Sequence, residues 1–338
     1  MRQIGVSSTF DLDDLVPVER GTPSAPAVGQ VLVRMGAVAL NYRDLLVATG
    51  YDRWRSPVGR VPGSDGVGTV VEIGPQVTRF KVGDRVMTTI LPNWVAGPLT
   101  AEKRGGGLGG PGADGVLAEL VLLDAEGIVR APDYLSDVQA ATLPVAALTA
   151  WHAITRAGAL RPDAKILVEG TGGVSLFALQ IAVAAGATVV ATSSSEDKLQ
   201  RMRALGASAT VNYRTRNEWG QEVLELTGGA GVDLAIDIGG ATTLNESIIA
   251  TAMNGVVAIV GLMGGLAATI NLAEVFQKNL RLEGIETGSR TLLEQMIAWF
   301  GQKRITPVVD RIFSFDDSRS AFRYLQEGRH MGKVCIAF

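Results

Sequence analysis

Residues 165–175 read KILVEGTGGVS. An apolar run ends at a glycine cluster, and a long apolar stretch, 173–185, follows it to Gly186. A glycine turn between a strand and a helix lets backbone N–H groups close on a pyrophosphate, and the free N–H groups and positive dipole end of the helix add to the attraction. Gly170, Gly172, Gly173 and Val174 are therefore candidate cofactor contacts. The last position of the G-x-G-x-x-G pattern is Ser175, a departure. Glycine clusters also make plain turns; the strand–turn–helix setting is what favours a dinucleotide.

The next strand reads on the ribose. An NAD site usually ends it with Asp or Glu, which bonds the 2′-hydroxyl. Here it ends Thr192-Ser193-Ser194-Ser195, and Glu196 and Asp197 lie in the start of the following helix. Hydroxyls at Ser193 and Ser194 with the ammonium of Lys198 suit a 2′-phosphate, which a carboxylate would repel. The same serines also read as helix caps and Lys198 as a solvated side chain; both readings can hold together. NADP(H) is the expected cofactor.

The metal inventory is short. The chain has two histidines, His152 and His330, and one cysteine, Cys335. No Cys/His zinc site assembles from these at ordinary spacing. His152 reads as a packed helical histidine, and Cys335, in an apolar run, as a buried strand residue. A single cysteine forms no internal disulfide, which fits a reducing cytoplasm.

Around the glycine turn, strand and helix signals alternate. Apolar or β-branched runs at 165–169, 188–192, 210–213, 232–238, 256–262 and 280–286 read as strands; 173–185, 195–205, 218–227 and 244–253 read as helices. Such alternation predicts βαβ units and a parallel sheet buried on both faces, an open doubly wound domain at 128–270. The first 127 residues have many glycines and short β runs (31–38, 67–73, 116–123) and predict a mostly β domain. The glycine-rich stretch 105–112 reads as a mobile surface loop or as a lid. Helices at 292–303 and 318–327 and β runs at 308–315 and 334–338 close the chain.

Composition sets the outer limits. A chain of 338 residues is comfortable for two domains, and 47% hydrophobic with 19% charged residues suits a sizeable core. A formal net charge of −3 without a basic block excludes nucleic acid as the main partner. Dispersed apolar residues argue against a membrane span, and an N-terminus charged throughout argues against a signal peptide. The expected partners are a small-molecule substrate and a second copy of the chain.

Further landmarks run nearly end to end: Asn41-Tyr42-Arg43-Asp44, Pro62-Gly63-Ser64-Asp65-Gly66-Val67-Gly68, Lys81-Val82-Gly83-Asp84-Arg85-Val86, Leu148-Thr149-Ala150 and Gly332-Lys333-Val334. With the glycine turn, they resemble the medium-chain dehydrogenase/reductase superfamily, in its zinc-free quinone oxidoreductase-like branch. The resemblance implies a GroES-like substrate domain (1–127, completed by 271–338) and a Rossmann cofactor domain (128–270). In zinc-dependent relatives the catalytic ligands stand at the positions of Asn41, Ser64 and about Val145, and here none is a normal zinc ligand.

The resemblance also implies roles. Asn41 would orient the substrate carbonyl or the nicotinamide ribose, or serve as a loop amide. Tyr42 and Tyr51 are candidate proton donors, although Gly50-Tyr51 is one residue short of the Gly-x-Tyr context of enoyl reductases. Asp44 and Asp65 would hold loop backbone or pair with Arg43. Trp94 would wall the pocket or pack its loop. Thr149 and Gly261-Leu262 would meet the nicotinamide, Tyr213 the adenosine phosphate, and Arg329 the 2′-phosphate. Without a Lewis acid, a conjugated carbonyl or quinone is the easier acceptor. The expected activity is NADPH-dependent reduction of an enone or quinone. The alternatives are an NADP-dependent alcohol dehydrogenase or carbonyl reductase without zinc, and a non-enzymatic, crystallin-like cofactor-binding protein.

Overall fold

Short β-branched runs broken by glycine give the first part of the chain its strands. These are β1 (Arg2–Ile4), β2 (Pro17–Glu19), β3 (Gln30–Leu40), β4 (Asp65–Ile73), β5 (Arg85–Thr88), β6 (Leu120–Asp124) and β7 (Ile128–Arg130). Between them lie the short helices α1 (Tyr42–Ala48) and α2 (Ala101–Arg104), and after them α3 (Asp137–Ala141). A π-helical segment, Leu143–Ala147, leads into α4 (Leu148–Arg156). This computed structural model describes residues 1–338.

The middle of the chain alternates as the sequence predicts. It runs β8 (Lys165–Glu169), α5 (Gly173–Ala184), β9 (Thr188–Ser193), α6 (Glu196–Ala204), β10 (Ala209–Asn212), α7 (Trp219–Leu226), β11 (Val232–Asp237), α8 (Leu244–Ala250), β12 (Thr251–Ile259), α9 (Leu272–Gln277) and β13 (Arg281–Gly284). The six strands form one parallel sheet in the order β10-β9-β8-β11-β12-β13. The order reverses between β8 and β11, and in such sheets ligands bind beyond the carboxyl ends of the strands at that reversal.

The C-terminal segment adds α10 (Arg290–Lys303), β14 (Val309–Ser314), α11 (Ser318–Gln326) and β15 (Lys333–Ala337). β15 pairs antiparallel with β3, matching Val334 to Leu40 and Cys335 to Ala39. The mostly β sheet then runs β14-β15-β3-β4-β5-β7, with β6 also on β3. Its core joins Val31, Val38, Leu117, Phe322 and Val334 from both ends of the chain.

Two compact units result: 1–148 with 288–338, and 149–287. The boundaries expected from sequence, 127/128 and 270/271, fall short at both ends. Residues 137–147 stay with the first unit because α3 and the π-helical segment pack on β3 and β4. Residues 271–287 stay with the second because β13 hydrogen-bonds β12 as its last strand. No helix is long and apolar enough to cross a membrane.

Candidate active site

In the first unit, the ends of β3, β4 and β15 bring a polar cluster together. Asn41 caps α1, and its backbone N–H donates to Asp44 Oδ2 at 2.8 Å. Asn41 Nδ2 faces Ser64 Oγ at 3.4 Å, and the Ser64 hydroxyl donates to Asp65 Oδ1 at 2.9 Å. Asp65 Oδ2 accepts the backbone N–H of Val145 at 3.1 Å. Positions 41, 64 and 145, far apart in sequence, thus meet. Ser64, Asp44 and Asp65 are fully buried, whereas Asn41 and Val145 are half-buried.

Two buried carboxyl groups in so small a space need compensation. Lys333, only 3% exposed, supplies it: Nζ donates to the Leu40 carbonyl at 2.5 Å and to Asn41 Oδ1 at 2.6 Å. Burial raises the Asp44 carboxyl to about 6, against the hydrogen bond from Asn41 and the charges of Arg43 and Lys333. Burial also raises Asp65, and the Lys333 charge is the largest opposing influence. Sequence reading did not single out Lys333 as a site residue. Its placement follows from register, since pairing Val334 with Leu40 sets position 333 beside position 41. The Gly332-Lys333-Val334 landmark was the available signal.

This donor set does not fit a zinc ion. An amide, a hydroxyl that donates to its neighbour and a valine replace thiolate and imidazole, and a dication would sit against the Lys333 ammonium. No group of three or more His, Cys, Asp or Glu side chains gathers to hold a metal. Cys335 is buried in β15, where burial pushes its thiol up to about 12, so it is neither a ligand nor a nucleophile.

The flanking candidates divide. Tyr42 and Tyr51 are 43% and 50% exposed, and Tyr51 stacks on Trp54. Trp94 is buried, donates Nε1–H to the Gly97 carbonyl at 2.7 Å, and packs with Ile90, Leu91 and Val145. It walls the Val145 side of the cluster. The stretch 105–112 is tied at Leu108. Arg43 Nη1 donates to the Leu108 carbonyl at 2.7 Å, and Leu108 N–H donates to the Ile90 carbonyl. Gly109 favours glycine there, with φ +65° and a Cβ that would lie 2.7 Å from the Gly63 carbonyl oxygen.

In the second unit the glycine turn sits at the sheet reversal. Gly170 has φ +69°, a left-handed conformation that favours glycine, and Gly172 caps α5 without a side-chain bond. The first N–H groups of α5, from Gly173 and Val174, are thus left for a ligand. Ser175 is reconciled with the pattern: its hydroxyl turns back to the Glu169 carbonyl at 2.6 Å. At the end of β9, Ser193 Oγ accepts Ser195 N–H and Ser195 Oγ accepts Lys198 N–H, so the capping reading holds. Tyr213 N–H donates to the Ser193 carbonyl, which brings residues 193 and 213 together. Thr149 is buried on α4. Gly261 packs on the Ile238 carbonyl beyond β12, and Leu262 is 42% exposed. His152 Nδ1–H donates to the Thr287 carbonyl, and burial lowers its basicity, so it is a packed histidine. Arg329 belongs to the first unit, exposed and paired with Glu327.

Beneath the turn lies a feature sequence reading missed. Ser247 Oγ contacts both Glu169 Oε1 and Asp237 Oδ2, all three buried. A hydroxyl has one proton, so one carboxyl must carry its own. Asp237 accepts from Gly240 N–H and the Thr243 hydroxyl and is the carboxylate. Glu169 is the acid, raised to about 8 by burial and by Asp237 beside it.

Comparison with known proteins agrees with both units. The chain matches the zinc-binding dehydrogenase family over residues 173–302 and the alcohol dehydrogenase GroES-like domain over residues 27–133. It belongs to the medium-chain dehydrogenase/reductase superfamily, whose members are oxidoreductases. Among individual proteins, it is 38% identical to a zinc-type alcohol dehydrogenase-like protein of Schizosaccharomyces pombe, covering 96% of this chain and 95% of that one. It is 27% identical to quinone oxidoreductase-like protein 2 of Bos taurus, over 95% and 88% of the two chains. A crystal structure described as an NAD-dependent alcohol dehydrogenase matches with TM-score 0.90 and 34% identity, covering both chains completely. A nicotinamide dinucleotide is the cofactor class these relatives point to, and the glycine turn fits it.

Proposed function

We propose that this protein is a zinc-independent, NADPH-dependent reductase that delivers hydride to a conjugated carbonyl or a quinone. The observation that carries the reading is the cluster at Asn41, Ser64 and Val145. Where zinc-dependent relatives place metal ligands, this chain has an amide donor backed by an ammonium. When bound, the reduced nicotinamide supplies the hydride. As the β-carbon of an enone gains it, the alkene electrons move toward the carbonyl and negative charge collects on oxygen. In this reading Asn41 Nδ2–H turns from its long contact with Ser64 Oγ to stabilise that oxygen. Protonation of the α-carbon, from water or from the exposed Tyr42 or Tyr51, completes the reduction.

Gly170, Gly172, Gly173 and Val174 hold the pyrophosphate in this reading, with Tyr213 at the adenosine side and Thr149, Gly261 and Leu262 at the nicotinamide. Ser193, Ser194 and Lys198 take the 2′-phosphate. The protein works as a homodimer joined along the free edge of β13, in the cytoplasm. A panel of acceptors tests the function. NADPH oxidation by enones or quinones, unchanged by a chelator, supports it; chelator-sensitive turnover of plain alcohols refutes it. The 34% identical NAD-dependent alcohol dehydrogenase favours a second reading, zinc-free oxidation of simple alcohols. Chelator-resistant alcohol turnover with no enone reduction would select it.

A further inference from the structure

Lys333 is buried on the first position of β15, and an ammonium withdrawn from water is costly unless its protons are placed. Two of them are placed on oxygen, at Leu40 and at Asn41, and its charge acts on Asp44 and Asp65. An ammonium has three donors and no acceptor, so the atom of Asn41 facing it is Oδ1. That fixes the amide. A free asparagine presents either end to a ligand, whereas this one has its acceptor end capped and its N–H groups turned to Ser64 Oγ at 3.4 Å and to the Asp65 carboxyl, so a substrate oxygen takes over the long contact to Ser64. An amide whose oxygen is bonded to a cation is also polarised, and its N–H groups become better donors.

We propose that Lys333 is the positioning residue of this site: its ammonium sets Asn41 as a hydrogen-bond donor to the substrate oxygen and supplies, from within the fold, the positive charge that zinc-dependent relatives take from a metal. The inference rests on the hydride-transfer reading. It adds that the cation has become a covalent part of the chain. Lys333 acts through Asn41 and does not itself touch substrate, so it should affect the chemical step and leave cofactor affinity alone.

The test is a double-mutant cycle on the full chain with NADPH and a quinone acceptor. Lys333→Met should lower kcat about tenfold or more and change the KM for NADPH less than about twofold. Asn41→Leu should do the same, and Lys333→Met added to Asn41→Leu should cost less than about a further twofold, because the two act as one unit. Losses that multiply in the double variant overturn the proposal. Lys333→Met leaves Asp65 buried and uncompensated, so Lys333→Met/Asp65→Asn serves as the fold-preserving variant. It should melt cooperatively and keep the kcat loss; wild-type kcat in that variant would make Lys333 a structural counter-charge and overturn the positioning role. A second readout needs no acceptor. In protein labelled with 15N-asparagine, the Asn41 side-chain resonance, identified by its loss in Asn41→Leu, should shift in Lys333→Met/Asp65→Asn relative to Asp65→Asn alone. An unmoved resonance overturns the amide lock. Should the wild type reduce no enone or quinone, the function reading fails while this readout still decides whether Lys333 holds Asn41.

Discussion

At the scale of one side chain, the proposed choice of NADPH turns on Lys198. It is half-buried at the start of α6, behind Ser193 and Ser194. A 2′-phosphate gains a charge-assisted bond from it that a ribose hydroxyl does not. Lys198→Ala should raise the KM for NADPH about tenfold or more and that for NADH less than about twofold. Equal losses would refute the phosphate assignment. The glycine turn was legible because its residues are neighbours in sequence and in space, on the one unit formed by β8, the turn and α5. The substrate cluster was legible only in part. Asn41 and Ser64 stood out because a familiar frame surrounds them. Lys333 did not, because a lysine after glycine reads as a surface residue until the pairing of β15 with β3 buries it.

At the scale of elements, the parallel sheet was readable almost strand by strand. Its strands are apolar on both faces, and glycines at 170, 186, 206 and 228 punctuate the turns with positive φ. The short helices α1, α3 and α9 escaped, since five to seven residues carry too little periodicity to declare themselves. The anchoring of 105–112 at Leu108 escaped for a related reason. Composition counts glycines but does not see the guanidinium of Arg43 packed among them. The proposed dimer is also an argument about elements. β13 ends the parallel sheet with one edge unpaired, and Met253 on β12 and Leu272 and Phe276 on α9 are 69%, 68% and 71% exposed. An unpaired edge is a template for a second sheet. Sedimentation should give twice the chain mass of 35.5 kDa, and Phe276→Glu should shift the population to monomer. A monomeric wild type would refute the interface.

At the scale of the whole molecule, buried acids give stability a pH slope. Glu169 is protonated in the fold up to about 8, against 4.5 when unfolded, so the folded protein holds a proton that the unfolded chain has lost. Its contribution is complete below pH 4.5 and declines as pH rises toward about 8. Asp44 acts in the same direction but is finished near 6. The melting temperature should therefore fall as pH rises from 4.5 to about 8, and Glu169→Gln, which cannot ionise, should flatten that fall. Parallel profiles for the two proteins would refute the protonated Glu169.

The chain path has a consequence of its own. It leaves the first unit after Leu148 and returns at Gly288, and these two residues lie so close that a Cβ on Gly288 would meet the Leu148 side chain at 3.0 Å. The second unit is therefore a cassette spliced into the first through neighbouring ends. A short linker in place of 149–287 would close a gap that is already nearly shut, at little loop entropy. Such a junction lets one unit be exchanged for another of similar spacing without reopening the sheet that carries Asn41 and Lys333.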